Sequence, residues 1–504
     1  MLLLIVPFIA IFCYISYYGL FHPLAKFPGP MLAKLSRLWL AYHAVKGDEA
    51  ETFLRLHRKY GPVVRISPTL LTVSDARFLP VIYHRNADKT KQDAPMVKTA
   101  MDSLFALPDH KAHAQRRKML SRPASQYSAS NVAKLEPFID THISHWLSRL
   151  SELHASTKST FDIAPWASYL AFDVISDIAF GAPLGFISAA TDVGELIRGL
   201  HTGWALFGFL ARAYPLKSYL SQSSLLMRKL GLVPNRNAKS GFGILLRTRD
   251  KVLKERLAAI ASGSPPDRQD LLQAILEARD EEERPLPLGV VKQETLNILI
   301  AGAETTGTAL QSLLQFLISD SEMYERVTGE IRTASAEGRL SNPSPTPAEV
   351  QLHCPLYTAC LRETLRLRPP LPGTFPRLVS PPGLALPFAN GEHVVPPGFE
   401  VTANVLVVGR DKILNGNDAD VWRPDRWLEA SEEQVREWLR FQFVFGYGAR
   451  VCLGKDIAMA ELLKAGTELL RRFNIHRANG EERWTVRGGV GWWEDLRVKL
   501  TPVR

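Results

Sequence analysis

The spacing of apolar residues predicts a mainly helical chain. Four segments carry apolar residues at helical spacing: 135–150, 172–181, 290–318 and 356–368. The second ends at Gly181, a residue type common just past helix C-termini. The third is the longest and follows two prolines, and the fourth stops at Pro369 because proline cannot continue a helix.

A smaller part of the chain has the patterns of short strands. Val63, Val64 and Ile66 form one apolar piece and residues 70–73 another, and Gly-Pro and Ser-Pro pairs punctuate them. Residues 391–408 contain several Val-rich pieces between prolines and glycines, which favours a small sheet. The fold class expected is therefore mainly α with a minor β portion, an α+β fold.

The N-terminal residues 1–21 predict a transmembrane anchor. Residues 1–25 contain no Asp, Glu, Lys or Arg, and the apolar run is long enough to cross a bilayer. A cleaved signal peptide is the alternative, but a basic start and a small-residue cleavage site are not evident. Lys26, Lys34 and Arg37 follow the run, which predicts that the rest of the chain stays on the cytoplasmic side.

The remaining chain divides into a neck and one catalytic domain. Residues 22–34 contain Pro23, Pro28 and Pro30, which predict a stiff, extended connector. No internal repeat or low-complexity tract stands out in residues 35–504. We therefore expect an anchor at 1–21, a neck at 22–34 and a catalytic domain at 35–504.

Composition excludes several classes of protein. The 504 residues are 46% hydrophobic and 22% charged, which is typical of a folded chain. A net charge of +10 fits a nucleic acid, an anionic membrane or an acidic protein partner, but no dense Lys/Arg run indicates nucleic-acid binding. The cysteines Cys13, Cys354, Cys360 and Cys452 are too few and too unevenly spaced for a disulfide framework or a zinc site.

Cys452 lies in a segment whose neighbours suit a reactive thiolate. A strong helical pattern begins directly after it, so its sulfur would lie at a helix N-terminus, which favours the thiolate. Gly448 and Gly454 allow a tight turn and close approach of a flat ligand. Arg450 offers a cation and Phe445 an apolar face. Taken alone, Cys452 would be interpreted as an inert buried cysteine in a Gly-rich turn.

The complete pattern Phe445-x-x-Gly448-x-Arg450-x-Cys452-x-Gly454 resembles the haem-binding signature of the cytochrome P450 superfamily. The chain looks most like fungal microsomal members of secondary metabolism. The resemblance implies the cytochrome P450 fold, haem b as cofactor and Cys452 as the cysteinate ligand of its iron. It also implies cofactor-binding roles for the other four named residues of the pattern.

A second motif of the family is an E-x-x-R on a helix, matched here by Glu363 and Arg366. The family pattern adds an arginine from a later segment, matched by Arg426, although Asp425 stands where the family usually has Glu. The resemblance implies a buried structural cluster that braces the haem-ligand loop. The alternative is an exposed helical ion pair of little energetic value.

The segment 301–306, AGAETT, resembles the oxygen-activation segment of the family. Glu304 and Thr305 occupy the positions of the catalytic acid–alcohol pair that delivers protons, and Ala301 and Gly302 leave space beside the iron. A solvent-facing Glu304 is the alternative on residue type alone.

Cations for the haem propionates are expected from three further positions. His113 and Arg117 are four residues apart and share a helical face, although the family more often has Trp at the first position. Arg377 matches the arginine that the family places in the sheet after the E-x-x-R helix.

The function implied is a haem-thiolate monooxygenase that uses NADPH-derived electrons to hydroxylate or otherwise oxidise a hydrophobic small molecule. A fungal secondary-metabolite intermediate, terpenoid, alkaloid or polyketide, is the expected substrate. One alternative is a haem-thiolate isomerase or dehydratase that needs no dioxygen, although Glu304 and Thr305 are present. Another is a non-enzymatic haem protein.

The resemblance also implies partners and a location. Electrons would come from a separate NADPH–cytochrome P450 reductase, with cytochrome b5 as a further candidate donor. Lys118, Arg122 and Lys455 are candidate contacts for an acidic reductase surface. The expected location is the endoplasmic reticulum membrane, single-pass, with the catalytic domain on the cytoplasmic side.

The resemblance implies that substrate contacts come from four regions of the chain. They are residues 95–107, 299–305, 371–375 and 490–492, which are largely apolar.

Overall fold

Helices dominate the computed structural model, which describes residues 2–93, 102–121, 129–230, 238, 241–264, 270–388, 391–478 and 480–503. Arg122 and residues 95–101 of the first predicted substrate region lie outside the described residues. The helices are α1 Leu2–Ser16, α2 Met31–Leu35, α3 Leu38–Lys46, α4 Glu49–Tyr60, α5 Leu79–Ile82, α6 His110–Ser121, α7 Ala129–Leu150, α8 Ala164–Phe180, α9 Phe186–Ala189, α10 Leu196–Arg212, α11 Tyr214–Leu220, α12 Ser224–Lys229, α13 Phe242–Ala261, α14 Leu271–Glu277, α15 Leu288–Ser319, α16 Ser321–Ala336, α17 Pro347–His353, α18 Pro355–Leu367, α19 Val405–Val408, α20 Lys412–Asn415, α21 Arg426–Glu429, α22 Glu432–Phe441 and α23 Lys455–Arg472.

The strands form small sheets at the edge of the helical body. They are β1 Val63–Arg65, β2 Leu70–Val73, β3 Thr160–Asp162, β4 Arg377–Leu378, β5 Leu384–Phe388, β6 Gly391–Val395, β7 Glu400–Ala403, β8 Phe473–Arg477, β9 Arg483–Arg487, β10 Val490–Glu494 and β11 Arg497–Pro502. The largest sheet has the order β1-β2-β7-β4, and the others are β3-β11-β8, β5-β6 and β9-β10. The predicted mainly α fold with a minor β portion is confirmed.

The longest helix, α15, packs closely against α8 through glycines. A Cβ on Gly307 would lie 2.9 Å from the Cα of Ser168, and one on Gly302 would lie 2.6 Å from the side chain of Ile175. Close backbone approach therefore requires small residues here. Gly181 ends α8 in the left-handed conformation, and its N–H bonds to Asp177, as the sequence predicts.

One Val-rich piece is a helical turn rather than a strand. Residues Val405–Val408 form α19 because the side chain of Asn404 accepts hydrogen bonds from the backbone N–H groups of Leu406 and Val407. That N-cap outweighs the strand preference of valine. The prediction of strand for this part of residues 391–408 was wrong, whereas β6 and β7 are strands as expected.

The N-terminus differs from the prediction. Among the described residues, none of the helices combines the length and the apolar character that crossing a membrane requires. The α-helix α1 has 15 residues, about 22 Å of rise against a hydrocarbon core of roughly 30 Å, and a π-helical turn, Tyr17–Phe21, follows it. The transmembrane helix predicted for residues 1–21 is thus not supported by the structure.

The segment predicted to be a neck packs onto the body. Leu24 and Phe27 are fully buried with the apolar residues of the largest sheet. The backbone N–H of Arg65 donates to Pro28 O at 2.7 Å. The domain boundaries at residues 21 and 34 stay predictions.

Candidate active site

A single cavity of about 310 Å³ brings together residues from distant parts of the chain. Its wall is formed by α6, the α14–α15 region, the segment before β4 and the loop that precedes α23. Eight of the ten predicted catalytic, cofactor-binding and metal-ligating residues line it: His113, Arg117, Thr305, Arg377, Phe445, Arg450, Cys452 and Gly454. Glu304 and Gly448 do not line it.

Cys452 lies just before α23 with its side chain open to the cavity. Its backbone N–H donates to Phe445 O at 2.7 Å, which folds the loop back on itself. Burial raises the pKa of the Cys452 thiol, whereas a hydrogen bond from the backbone of Gly454 and the charge of Arg117 act in the opposite direction. A bound metal cation would override this balance and take the thiolate.

The two glycines of the loop differ in what requires them. Gly448 has φ +66°, and a Cβ there would lie 2.2 Å from Tyr83 O, so both backbone conformation and packing demand glycine. Gly454 has neither constraint, because a Cβ would meet nothing within 4 Å. No contact within the protein requires glycine at position 454. A flat ligand lying close to the loop would require it, because a side chain there would occupy the space of the ligand.

Three arginines, Arg117, Arg377 and Arg450, converge on the cavity. Arg450 donates to Leu107 O at 2.7 Å and Arg377 to Phe375 O at 3.0 Å. Arg117 donates to Val451 O at 2.9 Å. Within the described residues, neither Arg377 nor Arg450 forms an ion pair.

Burial lowers the pKa of each of these arginines, that of Arg450 to about 10. Buried cations are costly unless an anion pairs with them. The set fits a ligand that carries negative charge.

His113 and Lys89 lie beside these arginines in the cavity wall. Burial, reinforced by the charges of Arg450 and Arg117, lowers the pKa of His113 to about 3, so this ring is neutral near pH 7. Lys89 is buried and forms an ion pair with Asp93 at 3.0 Å. Burial lowers the pKa of Lys89 to about 8. The sequence offered no signal for Lys89, a single lysine outside any motif.

The residues present therefore fit a haem. An iron ligand, a glycine with open space around it and several buried or half-buried cations face one cavity, and the two propionates of haem b are negatively charged. Cys452 would hold the iron, and Arg117, Arg377 and Arg450 would hold the propionates.

The predicted acid–alcohol pair is divided between two faces of α15. Thr305 lines the cavity, and its Oγ1 donates to Ala301 O at 2.8 Å. Glu304 is buried and points instead toward α10, where its Oε2 lies 3.2 Å from Nε2 of His201. Adjacent helical residues differ by about 100° in direction, so one of the pair faces away from the cavity. Sequence reasoning missed His201.

Glu363 is the centre of a fully buried charge cluster behind the cavity. Its carboxylate accepts two hydrogen bonds from Arg366, at 2.6 and 2.9 Å, and one from Arg426 at 2.9 Å. Trp427 Nε1 donates to it at 3.0 Å. Burial acts to raise the pKa of Glu363, but the bonds and charges of both arginines hold the pKa below its usual range. The sequence-predicted trio lies together, and the exposed alternative is excluded.

Asn297 and Glu461 are among the polar residues of the cavity that were not predicted. Asn297 lies on the cavity face of α15, two helical turns before Thr305, and its side chain has no hydrogen bond among the described residues. The i, i+4, i+8 spacing with Ala301 and Thr305 could have identified it. Glu461 on α23 also lines the cavity, and burial raises its pKa to about 8.

The predicted substrate regions are only partly at the cavity. Leu104, Phe105, Leu371 and Phe375 line it, as do the residues of α15 named above. Residues 490–492 are not part of its wall.

Comparison with known proteins agrees with this geometry. A sequence profile described as Cytochrome P450 matches residues 28–492. Quiannulatic acid synthase of Emericella variicolor is 34% identical over 453 residues, which cover 89% of this chain and 86% of that protein. Cytochrome P450 monooxygenase gsfF of Penicillium aethiopicum is 32% identical over 472 residues, 92% of this chain and 90% of that protein. Cytochrome P450 monooxygenase cicH of Emericella nidulans is 30% identical, again over 92% and 90%.

Proposed function

Because the chain belongs to the cytochrome P450 family, we propose that it is a haem-thiolate monooxygenase that oxidises a hydrophobic small molecule with NADPH-derived electrons. The observation that carries the proposal is the common cavity of Cys452, the three arginines and Thr305. Each of these groups is unfavourable or unnecessary in an ordinary core. Together they suit one anionic, metal-containing cofactor.

The haem would supply dioxygen activation at an iron made electron-rich by the thiolate. The chain would supply binding and protection. Cys452 anchors the iron, Phe445 shields the sulfur, and the Arg117, Arg377 and Arg450 guanidiniums neutralise the propionates. The Glu363 cluster holds the segment behind the cavity rigid, since its carboxylate is saturated with donors.

Thr305 and Glu304 are proposed as the proton-handling residues. The Thr305 hydroxyl faces the cavity and can donate or accept a hydrogen bond there. Glu304, one residue earlier, is the acid behind it and reaches the opposite face of α15. The pair can thus carry protons from the far side of the helix to the reacting oxygen.

The substrate is proposed to be apolar with at least one polar group. Apolar side chains such as Leu104, Phe105, Ile298 and Leu371 form most of the wall beside Thr305. Asn297 offers an amide about 12 Å along α15 from Thr305, enough to bind a hydroxyl or carbonyl at the far end of the molecule. A terpenoid, alkaloid or polyketide intermediate of fungal secondary metabolism meets this description, and the relatives reported above are fungal proteins.

The electron donor is proposed to be a separate NADPH–cytochrome P450 reductase, with cytochrome b5 as a further candidate. We also propose that the protein works at the cytoplasmic face of the endoplasmic reticulum membrane. Exposed apolar side chains along the N-terminal helix, such as Phe8, Phe12 and Phe21, support association of this segment with lipid.

The test is the carbon-monoxide difference spectrum of the reduced, full-length protein. Thiolate ligation shifts the Soret band to long wavelength, and we expect this band in the wild type. Cys452→Ser should abolish it, whereas Cys13→Ser, which alters an exposed cysteine of α1, should leave it unchanged.

A wild-type protein that binds no haem, or a Cys452→Ser variant that keeps the long-wavelength band, would refute the assignment. NADPH consumption with added reductase then separates a monooxygenase from an isomerase, which needs no electrons.

A further inference from the structure

His201 of α10 contacts the buried acid of α15, Glu304. Its Nε2 lies 3.2 Å from Oε2 of Glu304. Trp492 of β10 stacks on the imidazole, with ring centroids 3.8 Å apart and an interplanar angle of 14°. The three residues come from α10, α15 and β10, and none of them lines the cavity. Their contact is therefore a built arrangement beside the catalytic residues rather than a part of the substrate wall.

His201 and Glu304 differ sharply in their exposure to solvent. The side chain of His201 is 23% exposed, whereas that of Glu304 is 3% exposed. The second oxygen of Glu304, Oε1, is buried without a hydrogen-bond partner among the described residues. A buried carboxylate oxygen that has no donor is costly in a purely structural ion pair. An oxygen without a donor is useful, however, in a carboxylate that must take up a proton and pass it on.

Other charges near His201 are already paired. Arg198, one turn earlier on α10, bonds to Glu195 at 3.2 Å. Glu494, which Trp492 contacts through Nε1 at 3.0 Å, also pairs with Arg483. Glu304 is thus the carboxylate partner of His201 within the described residues.

We propose that His201 is a positioning residue that holds Glu304 and passes protons to it from solvent. The inference rests on the proposed monooxygenase function. The imidazolium Nε2–H gives its proton to the carboxylate of Glu304, which leaves a neutral ring and a neutral carboxylic acid. The ring then takes a proton back from solvent water, and the acid passes its proton toward Thr305. Stacking on Trp492 fixes the ring plane.

Histidine suits this role because its ordinary pKa lies near physiological pH. A brace between α10 and α15 would need only a hydrogen bond, which other side chains could supply. Two substitutions, each of which keeps one property of histidine, therefore distinguish a proton carrier from a structural brace. His201→Gln keeps a donor toward Glu304 but cannot carry a proton, and His201→Phe keeps the stacked ring but loses the hydrogen bond.

The experiment uses the full-length, haem-loaded protein with NADPH–cytochrome P450 reductase and no added substrate. Rates of NADPH oxidation, dioxygen uptake and hydrogen peroxide formation are measured in H₂O and in D₂O. Peroxide formation consumes two electrons and two protons per dioxygen, and water formation consumes four of each. The share of water therefore reports proton delivery. His142→Gln is the matched control, because His142 also pairs with a carboxylate between helices, Asp177 at 2.8 Å, outside the cavity.

Both His201 variants should lower the water-forming rate by about tenfold or more and raise the peroxide share. They should also change the solvent isotope effect, and His142→Gln should match the wild type. The double variant His201→Gln/Glu304→Gln should behave like Glu304→Gln alone, because His201 acts through Glu304.

Wild-type rates and isotope effects in His201→Gln would overturn the relay and reduce His201 to a brace. Additive losses in the double variant would overturn the route through Glu304. A wild-type protein that shows the thiolate band but oxidises no NADPH would overturn the proposed function itself, and the relay with it.

Discussion

His57 gives the protein an acid-sensitive contact far from the cavity. Its Nδ1 donates to Gly61 O at 3.0 Å, and its Nε2 contacts Thr72 Oγ1 at 3.3 Å. Burial lowers the pKa of His57 from 6.5 to about 4. At a pH between these two values, His57 is protonated in the unfolded chain and neutral in the folded chain. The stability contributed by neutral His57 is therefore present above pH 6.5 and is lost as the pH falls toward 4.

We expect the melting temperature of the wild type to fall as the pH is lowered from 7.5 to 5. Protonation of His57 should account for about 1–3 kcal/mol of the accompanying decrease in the free energy of unfolding. His57→Gln should show a smaller fall, whereas His84→Gln, at an exposed histidine, should follow the wild type. Equal pH dependence in all three proteins would contradict this assignment.

Motifs locate individual residues but not the directions of their side chains. The pattern around Cys452 places a cysteine before a helix, and the structure has it there. The AGAETT segment gives no sign that Glu304 turns toward α10, because the partner His201 is about 100 residues away and carries no motif. Lys89 was missed for the same reason, because its place in the cavity wall is set by tertiary structure.

Helix packing at α15 depends on glycine, and the chain offers an internal comparison. Gly307→Ala places a methyl group 2.9 Å from the Cα of Ser168 on α8, so the backbone must shift. Gly329 lies exposed on α16, where a Cβ meets nothing within 4 Å. Helical alanine there restricts the unfolded chain and improves helix propensity.

Gly307→Ala should destabilise the protein by about 1–3 kcal/mol, and Gly329→Ala should stabilise it by about 0.5–1 kcal/mol. Melting temperatures measured on the haem-loaded protein would show opposite shifts. A neutral Gly307→Ala would mean that α8 and α15 can separate freely.

Elements with strong periodicity were predictable, and short ones were not. α15 begins two residues before the predicted segment and ends one residue after it, since its apolar pattern is uninterrupted and prolines precede it. α19 could not be read from valine content because one capping side chain, Asn404, decides its conformation. The N-terminal apolar run was read as one spanning helix, but the α-helix ends at Ser16.

The whole molecule carries a net charge of +10, and some of that charge borders the Cys452 loop. Lys118 and Lys455 are both exposed near this loop, on α6 and at the start of α23. Electrostatic steering of an acidic reductase would raise the association rate at low salt and fade when salt screens the charges.

Lys118→Glu and Lys455→Glu should each slow reduction of the haem by reductase several-fold at low ionic strength, with a smaller effect at high ionic strength. Lys254→Glu, an exposed position on α13, is the control with the same charge change. Stopped-flow reduction rates under carbon monoxide measure the effect, and equal slowing by all three variants would argue against a local docking site.

His201 lies on α10 and its partner Glu304 lies on α15, so their 3.2 Å contact depends on how these two helices pack. Movement of α10 away from α15 would break the contact. If His201 supplies the protons, more of the electrons taken from NADPH would then leave as hydrogen peroxide and fewer as water. The packing of α10 on α15 would thus determine how much reducing power the enzyme wastes.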